Sequence, residues 1–129
     1  DKRQKEKGKR KKAKGKREKL NSNMQNIIEQ KISKNFKRTI IHLDNVRVVV
    51  CDFSNGPMKK PEAPHSHPHE QITYVAEGEL FFYKDGKEFH LNKGDLITIP
   101  PDVPHCVRTL SPDVRLIDSF SPVRRDFLL

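Results

Sequence analysis

Three histidines and a glutamine crowd into the seven residues His65-Ser66-His67-Pro68-His69-Glu70-Gln71. His65 and His67 stand two apart, so on an extended strand both imidazoles point the same way. Gln71, four beyond His67, returns to that face if the strand continues. Neutral nitrogen and oxygen donors converging from one side are what a divalent cation requires. A pair of histidines rarely suffices, so another strand must contribute. His105 is the candidate, because Pro100-Pro101-Asp102-Val103-Pro104 stiffens the approach to it and limits where its ring can sit. His69 shares the parity of His65 and His67 and competes with Gln71 as a ligand. Four of the six histidines fall within these two segments, which an incidental polar loop does not explain. His42 and His90 have no donors at ligand spacing and read as surface or packing residues.

Short strands must position these groups. In Asn45–Phe53, Val46, Val48 and Val50 share one face, while Arg47, Val49 and Cys51 take the other. Ser54-Asn55-Gly56-Pro57 is a turn signal, and the prolines after it exclude an interior strand. Strands follow at 71–76, 80–83, 88–91, 96–99, 106–110 and 114–120. Asp85-Gly86 supplies the positive φ angles of a type I′ hairpin. About eight strands with turn signals every eight to twelve residues or so predict an antiparallel sandwich or small barrel. Ile27, Ile28, Lys31 and Ile32 have helical spacing. On the last strand Leu116, Asp118 and Phe120 share a face. If it lines the barrel, Asp118 is the proton-transfer candidate and Phe120 a pocket wall; otherwise Asp118 caps a loop or pairs with an arginine. Cys106 should point away from His105 and pack as a small hydrophobe. Phe81, Phe82, Tyr83 and Phe89 read as core or dimer packing.

The charge is unevenly placed. Of 129 residues, Lys and Arg number 26 and Asp and Glu 17, a formal +9. Residues 1–20 hold 12 basic and 3 acidic residues and carry all of that excess. They contain no aromatic residue and one large apolar one, so residues 1–23 are expected to be a disordered basic tail. Lys, Arg, Glu and Gly are also the residues that purine-only codons encode. A start at Met24 is therefore expected, giving a neutral domain over 24–129, and N-terminal mass spectrometry of the native protein tests this. Without a cationic patch in the folded part, a nucleic-acid partner is not expected. No apolar run approaches the 18 or so residues of a membrane span, and no secretory signal pattern appears. Two distant cysteines make no disulfide framework, which suits a cytoplasmic protein.

The segments His65-Ser66-His67-x3-Gln71-x6-Gly78 and Gly94-Asp95-x4-Pro100-x-Asp102-x2-His105 resemble the first and second cupin motifs, in order. Asp102 stands where that pattern prefers Gly, and Thr109 where it often has Asn. The resemblance implies an all-β cupin-type antiparallel jelly-roll β-barrel with a short N-terminal extension. It also implies one divalent metal (Zn, Ni, Mn, Fe or Co) on His65, His67, Gln71 and His105. Gln in place of the commoner Glu leaves that site more cationic by one charge. The segment IDSFSPVRRDFLL, with HSHPHEQITYVAEGE upstream, is similar to the small cupins of pectin and alginate breakdown. That similarity implies ring opening of 4,5-unsaturated uronate monosaccharides, a small anionic sugar as substrate, and a homodimer. Such a substrate needs a cation at the barrel mouth. Arg124 matches the arginine of the family's FSP-x-R segment. Arg108 is a second choice, although its parity opposes that of His105 and a bulge would have to turn it inward. Two other functions compete: a cupin oxygenase, distinguished by oxygen uptake, and a non-catalytic sugar- or metal-binding module, distinguished by binding without turnover.

Overall fold

The structure, a computed structural model, describes residues 27–121. Nine antiparallel strands run through them: β1 (Ile28–Ser33), β2 (Phe36–His42), β3 (Arg47–Phe53), β4 (Glu70–Glu77), β5 (Glu79–Lys84), β6 (Lys87–Asn92), β7 (Leu96–Ile99), β8 (His105–Thr109) and β9 (Val114–Ser121). Six form one sheet in the order β1-β2-β3-β9-β4-β7, and three form the other in the order β6-β5-β8. The two sheets face each other as a jelly roll, as the resemblance implied. Among the described residues no helix is long and apolar enough to cross a membrane. The expected basic tail at 1–23 lies outside the described residues.

Period-two alternation explains which side chains enter the core. In β4, Gln71, Thr73 and Val75 are buried, while Glu70, Ile72 and Tyr74 are exposed. In β9, Val114, Leu116, Asp118 and Phe120 are buried and Arg115 and Ser119 exposed. In β3 the inward face is Arg47, Val49, Cys51 and Phe53, leaving Val48, Val50 and Asp52 on the outward face and Val46 exposed just before the strand. Polar side chains thus alternate into the interior wherever the site requires them. Leu80 and Phe82 of β5 close the core from the second sheet. The Asp85-Gly86 hairpin turn has φ of 51° and 75°, as its sequence demands. Gly78, with φ of 87°, turns β4 into β5 so tightly that an added Cβ would lie 2.3 Å from the Asp113 carbonyl oxygen.

One expectation is corrected. Ile27–Ile32 does not form a helical turn: Ile28–Ser33 is strand β1, hairpinned to β2 in the register Ile28–Ile40. β2 in turn pairs with β3 along its whole length. The tertiary pairing overrides a weak helical periodicity, because β2 buries Ile40 and stacks Phe36 on Phe53, with ring centroids 4.4 Å apart.

Candidate metal centre

Two loops bring the histidines together. His65 N donates to His105 O at 3.0 Å, and His105 N donates to His65 O at 2.9 Å, a single antiparallel bridge that joins the first histidine segment to the start of β8. Asp102 N donates to the His67 carbonyl at 2.8 Å, so the proline-rich β7–β8 loop grips the first histidine segment by its backbone. Asp102 reaches that position with φ of 63°. A left-handed conformation is why glycine is preferred there, and Asp is among the few other residues that adopt it at modest cost.

The rings of His65 and His105 lie 4.3 Å apart, those of His67 and His105 4.9 Å, and those of His65 and His67 6.3 Å. Phe82 stacks parallel to His105, and Phe120 meets His67 edge-on. Each of two rings is also oriented by a carbonyl: His67 Nδ1 bonds His69 O at 2.9 Å, and His105 Nδ1 bonds Val103 O at 2.9 Å. A carbonyl can only accept, so Nδ1 carries the proton in both and Nε2 is the ligating nitrogen. His67 Nε2 lies 2.9 Å from Gln71 Oε1. With Nδ1 already committed, that contact is a hydrogen bond only when the ring carries both protons. In the neutral ring two lone pairs face each other, an arrangement a cation resolves. The three imidazoles and the carboxamide oxygen therefore fit a divalent metal by donor type. Among the described residues no three His, Cys, Asp or Glu side chains already meet in ligand geometry.

From Gln71 a hydrogen-bonded chain runs along the inner face of the large sheet. Gln71 Nε2 donates to Thr73 Oγ1 at 2.9 Å, Thr73 Oγ1 donates to Asp118 Oδ1 at 2.7 Å, and Cys51 Sγ donates to Asp118 Oδ2 at 3.5 Å. The register Gln71–Phe120 and Thr73–Asp118 between β4 and β9 sets these neighbours side by side. Burial pushes the Asp118 carboxyl up to about 6, against the hydrogen bonds from Thr73, Cys51 and Gln71 and the nearby Arg38, all of which favour the ionised form. Burial and the Asp118 charge push the Cys51 thiol well up, so it stays a thiol and not a nucleophilic thiolate. Burial also raises the Glu62 carboxyl, opposed by the Val107 backbone amide, which donates to Glu62 Oε1 at 3.1 Å.

Gln71, Asp118, Cys51 and Glu62 line one cavity of about 110 Å³ together with the histidine cluster, Phe120 and Arg38, and Thr73 supports it from behind. That is far below the several hundred Å³ or so of a drug-sized pocket and suits a small ligand. The expected set is largely assembled: His65, His67, Gln71, His105, Asp118 and Phe120 all line the cavity. His69 does not; it contributes its carbonyl to orient His67. Arg108 is a correction. No bulge turns it inward; it faces out beside Phe81, with Nε donating to the Met58 carbonyl at 3.3 Å. Arg124 lies outside the described residues. Thr73, Arg38 and Glu62 were not anticipated. Thr73 had a signal, since it shares the parity of Gln71.

Fold and cavity together define a class, and the chain belongs to the cupin family: the Cupin domain profile matches residues 53–120. Within that family it is similar to the pectin degradation protein KdgF of Dickeya dadantii strain 3937. The two are 35% identical over 101 residues, covering 77% of this chain and 89% of that one. It is also similar to the solved structure of KdgF from Halomonas sp., with TM-score 0.69 and 31% identity over 78% of this chain and 90% of that one. Quercetin 2,3-dioxygenase of Bacillus subtilis strain 168 is 30% identical over 70 residues, which are 54% of this chain but 21% of that enzyme.

Proposed function

We propose that the protein opens the ring of 4,5-unsaturated uronate monosaccharides, giving linear 4-deoxy-5-keto-uronates. The observation that carries this reading is Asp118: a buried carboxyl, titrating at about 6, tied through Thr73 to Gln71 in the cavity that holds the three histidines. The similarity to a pectin degradation protein points to the same substrates. His65, His67, Gln71 and His105 would hold a divalent cation, Zn, Ni, Mn, Fe or Co, whose positive charge polarises sugar oxygens. All four ligands are neutral, so that charge is undiminished.

The reaction is an isomerisation and needs one proton moved. Asp118 takes the proton of the anomeric hydroxyl as the bond from C1 to the ring oxygen breaks. It then returns a proton to C4 as the resulting enolate becomes the 5-ketone. A carboxyl titrating near the working pH serves both halves. Thr73 and Cys51 fix the carboxylate plane by bonding one oxygen each. Phe120 walls the cavity and holds His67, and its burial keeps water from Asp118. Arg124 is retained as a second cation for the substrate carboxylate. A homodimer completes the reading, checked by sedimentation velocity.

The test follows loss of the enol-ether ultraviolet absorbance of unsaturated galacturonate monomer, against uncatalysed opening and with a chelated sample in parallel. Chelator-sensitive acceleration is expected. A folded, metal-loaded protein that gives none ends this reading. The similarity to a quercetin dioxygenase favours an oxygenase as the second reading. It demands oxygen consumption with an organic substrate, whereas ring opening proceeds without oxygen.

A further inference from the structure

Arg38 is the only Lys or Arg among the described residues that line the cavity. It sits on the inward face of β2, opposite Cys51 of β3, and Cys51 is opposite Leu116 of β9. Strand order β2-β3-β9-β4 therefore sets Arg38 on the far side of Asp118 from Gln71. With strands about 4.8 Å apart, the backbones that carry Arg38 and Gln71 stand about three strand spacings apart, with Asp118 between them. The guanidinium is held in place on two sides. Nη2 donates to Gln30 Oε1 on β1 at 3.1 Å, and the guanidinium carbon lies 6.0 Å from the centre of the Phe36 ring.

The charges around the cavity favour an anion. Among the residues that line the cavity, Asp118 and Glu62 when ionised supply two negative charges against Arg38, and a divalent cation on four neutral ligands would leave this lining one unit positive. A single carboxylate on the ligand balances it.

We propose that Arg38 binds the carboxylate of the ligand and so selects uronates over neutral sugars, a role that rests on the uronate reading of this site. A planar guanidinium already turned by Gln30 and Phe36 receives a carboxylate through paired N–H donors. The sugar then lies across Asp118, its anomeric end toward the histidines. The influence of Arg38 on both Asp118 and Cys51, which favours their ionised forms, is consistent with a guanidinium facing this space.

The experiment compares wild type, Arg38→Gln and Arg38→Lys, all metal-loaded and matched for thermal melting, on unsaturated galacturonate and its methyl ester. Arg38→Gln should raise KM for the acid about 10- to 100-fold, the range of a charge-assisted hydrogen bond, with kcat changed only a few-fold. It should also lose most of the preference for acid over ester, while Arg38→Lys recovers part of that preference. An acid preference kept intact in Arg38→Gln overturns the proposal. Should wild type not accelerate ring opening at all, the uronate activity falls separately. Arg38 is then judged by calorimetric binding of galacturonate and galactose. A charge preference erased in Arg38→Gln upholds the assignment, and one that is absent in wild type or persists in the variant refutes it.

Discussion

Replacing Asp118 with Asn should stabilise the metal-stripped protein while disabling it. The side chains have the same shape, so the change removes a charge and little else. Burial moves the titration of this carboxyl from an ordinary 3.8 to about 6. At neutral pH the fold therefore carries an ionised group it would rather keep protonated, at a cost of about 3 kcal/mol. Because the folded value lies above the unfolded one, the stability attached to this group is complete below about 3.8 and is lost as pH rises through about 6. Asn abolishes that dependence. Its amide must sit against Cys51 Sγ, which now has to accept and no longer donates, and the exchange offsets about 1 kcal/mol of the gain. The net expectation at pH 7.5 is about 2 kcal/mol of added stability, or roughly 10 °C in Tm for a domain of this size. The gain should vanish near about pH 4.5 and turn into a loss of up to about 1 kcal/mol at lower pH, where only the lost thiol hydrogen bond remains. Ring opening should fall about 100-fold or more, the contribution of a positioned acid and base. Thermal melts of chelated protein across pH 4–8, beside the ultraviolet assay of metal-loaded protein, measure both. Asp118→Asn melting below wild type at pH 7.5 would refute the burial argument, and activity within tenfold of wild type would refute the catalytic one.

Other substitutions probe the supports of the site. Gln71→Glu should tighten metal binding about tenfold by adding a negative ligand, yet lower kcat, because a carboxylate cannot donate to Thr73; metal titration and kinetics separate the two effects. Asp102→Gly should raise stability by up to about 1 kcal/mol by relieving the left-handed backbone, whereas Asp102→Val should lose about 2 kcal/mol and weaken metal binding, both read by chemical denaturation and metal content. Gly78→Ala should cost about 3 kcal/mol or more, since its Cβ would meet Asp113 O at 2.3 Å and Val114 Cγ2 at 2.8 Å, and a melting temperature within a few degrees of wild type would contradict this.

The sequence was most readable where local chemistry and global fold agree. The Asp85-Gly86 hairpin, the alternation in β4 and β9, and the histidine pairs all follow from period two and turn residues, and these place most of the cavity lining. The β1–β2 hairpin was opaque, because Lys37 and Arg38 look like a solvated charged face. Only the register with β3 shows that Phe36, Arg38 and Ile40 point inward. β3 carries the opposite lesson. The face with Val48 and Val50 points out, ending in Asp52, while the side with Arg47 is interior, so the run of valines alone does not assign the buried face. Arg108 failed as an active-site cation for the reason its spacing gave: β8 stays regular, and opposite parity means opposite faces.

The bridge between His65 and His105 has a bearing on how metal enters. Two backbone hydrogen bonds already close the loop between residues 40 apart in sequence. The entropy of drawing the two segments together is spent by folding and not by the ion. Loading should therefore resemble adding a key to a cut lock: fast, reversible, and accompanied by little change in heat capacity or secondary structure. The amide protons of His65 and His105 should exchange slowly with deuterium whether or not the ion is present, making them internal reporters that separate loss of the metal from loss of the fold.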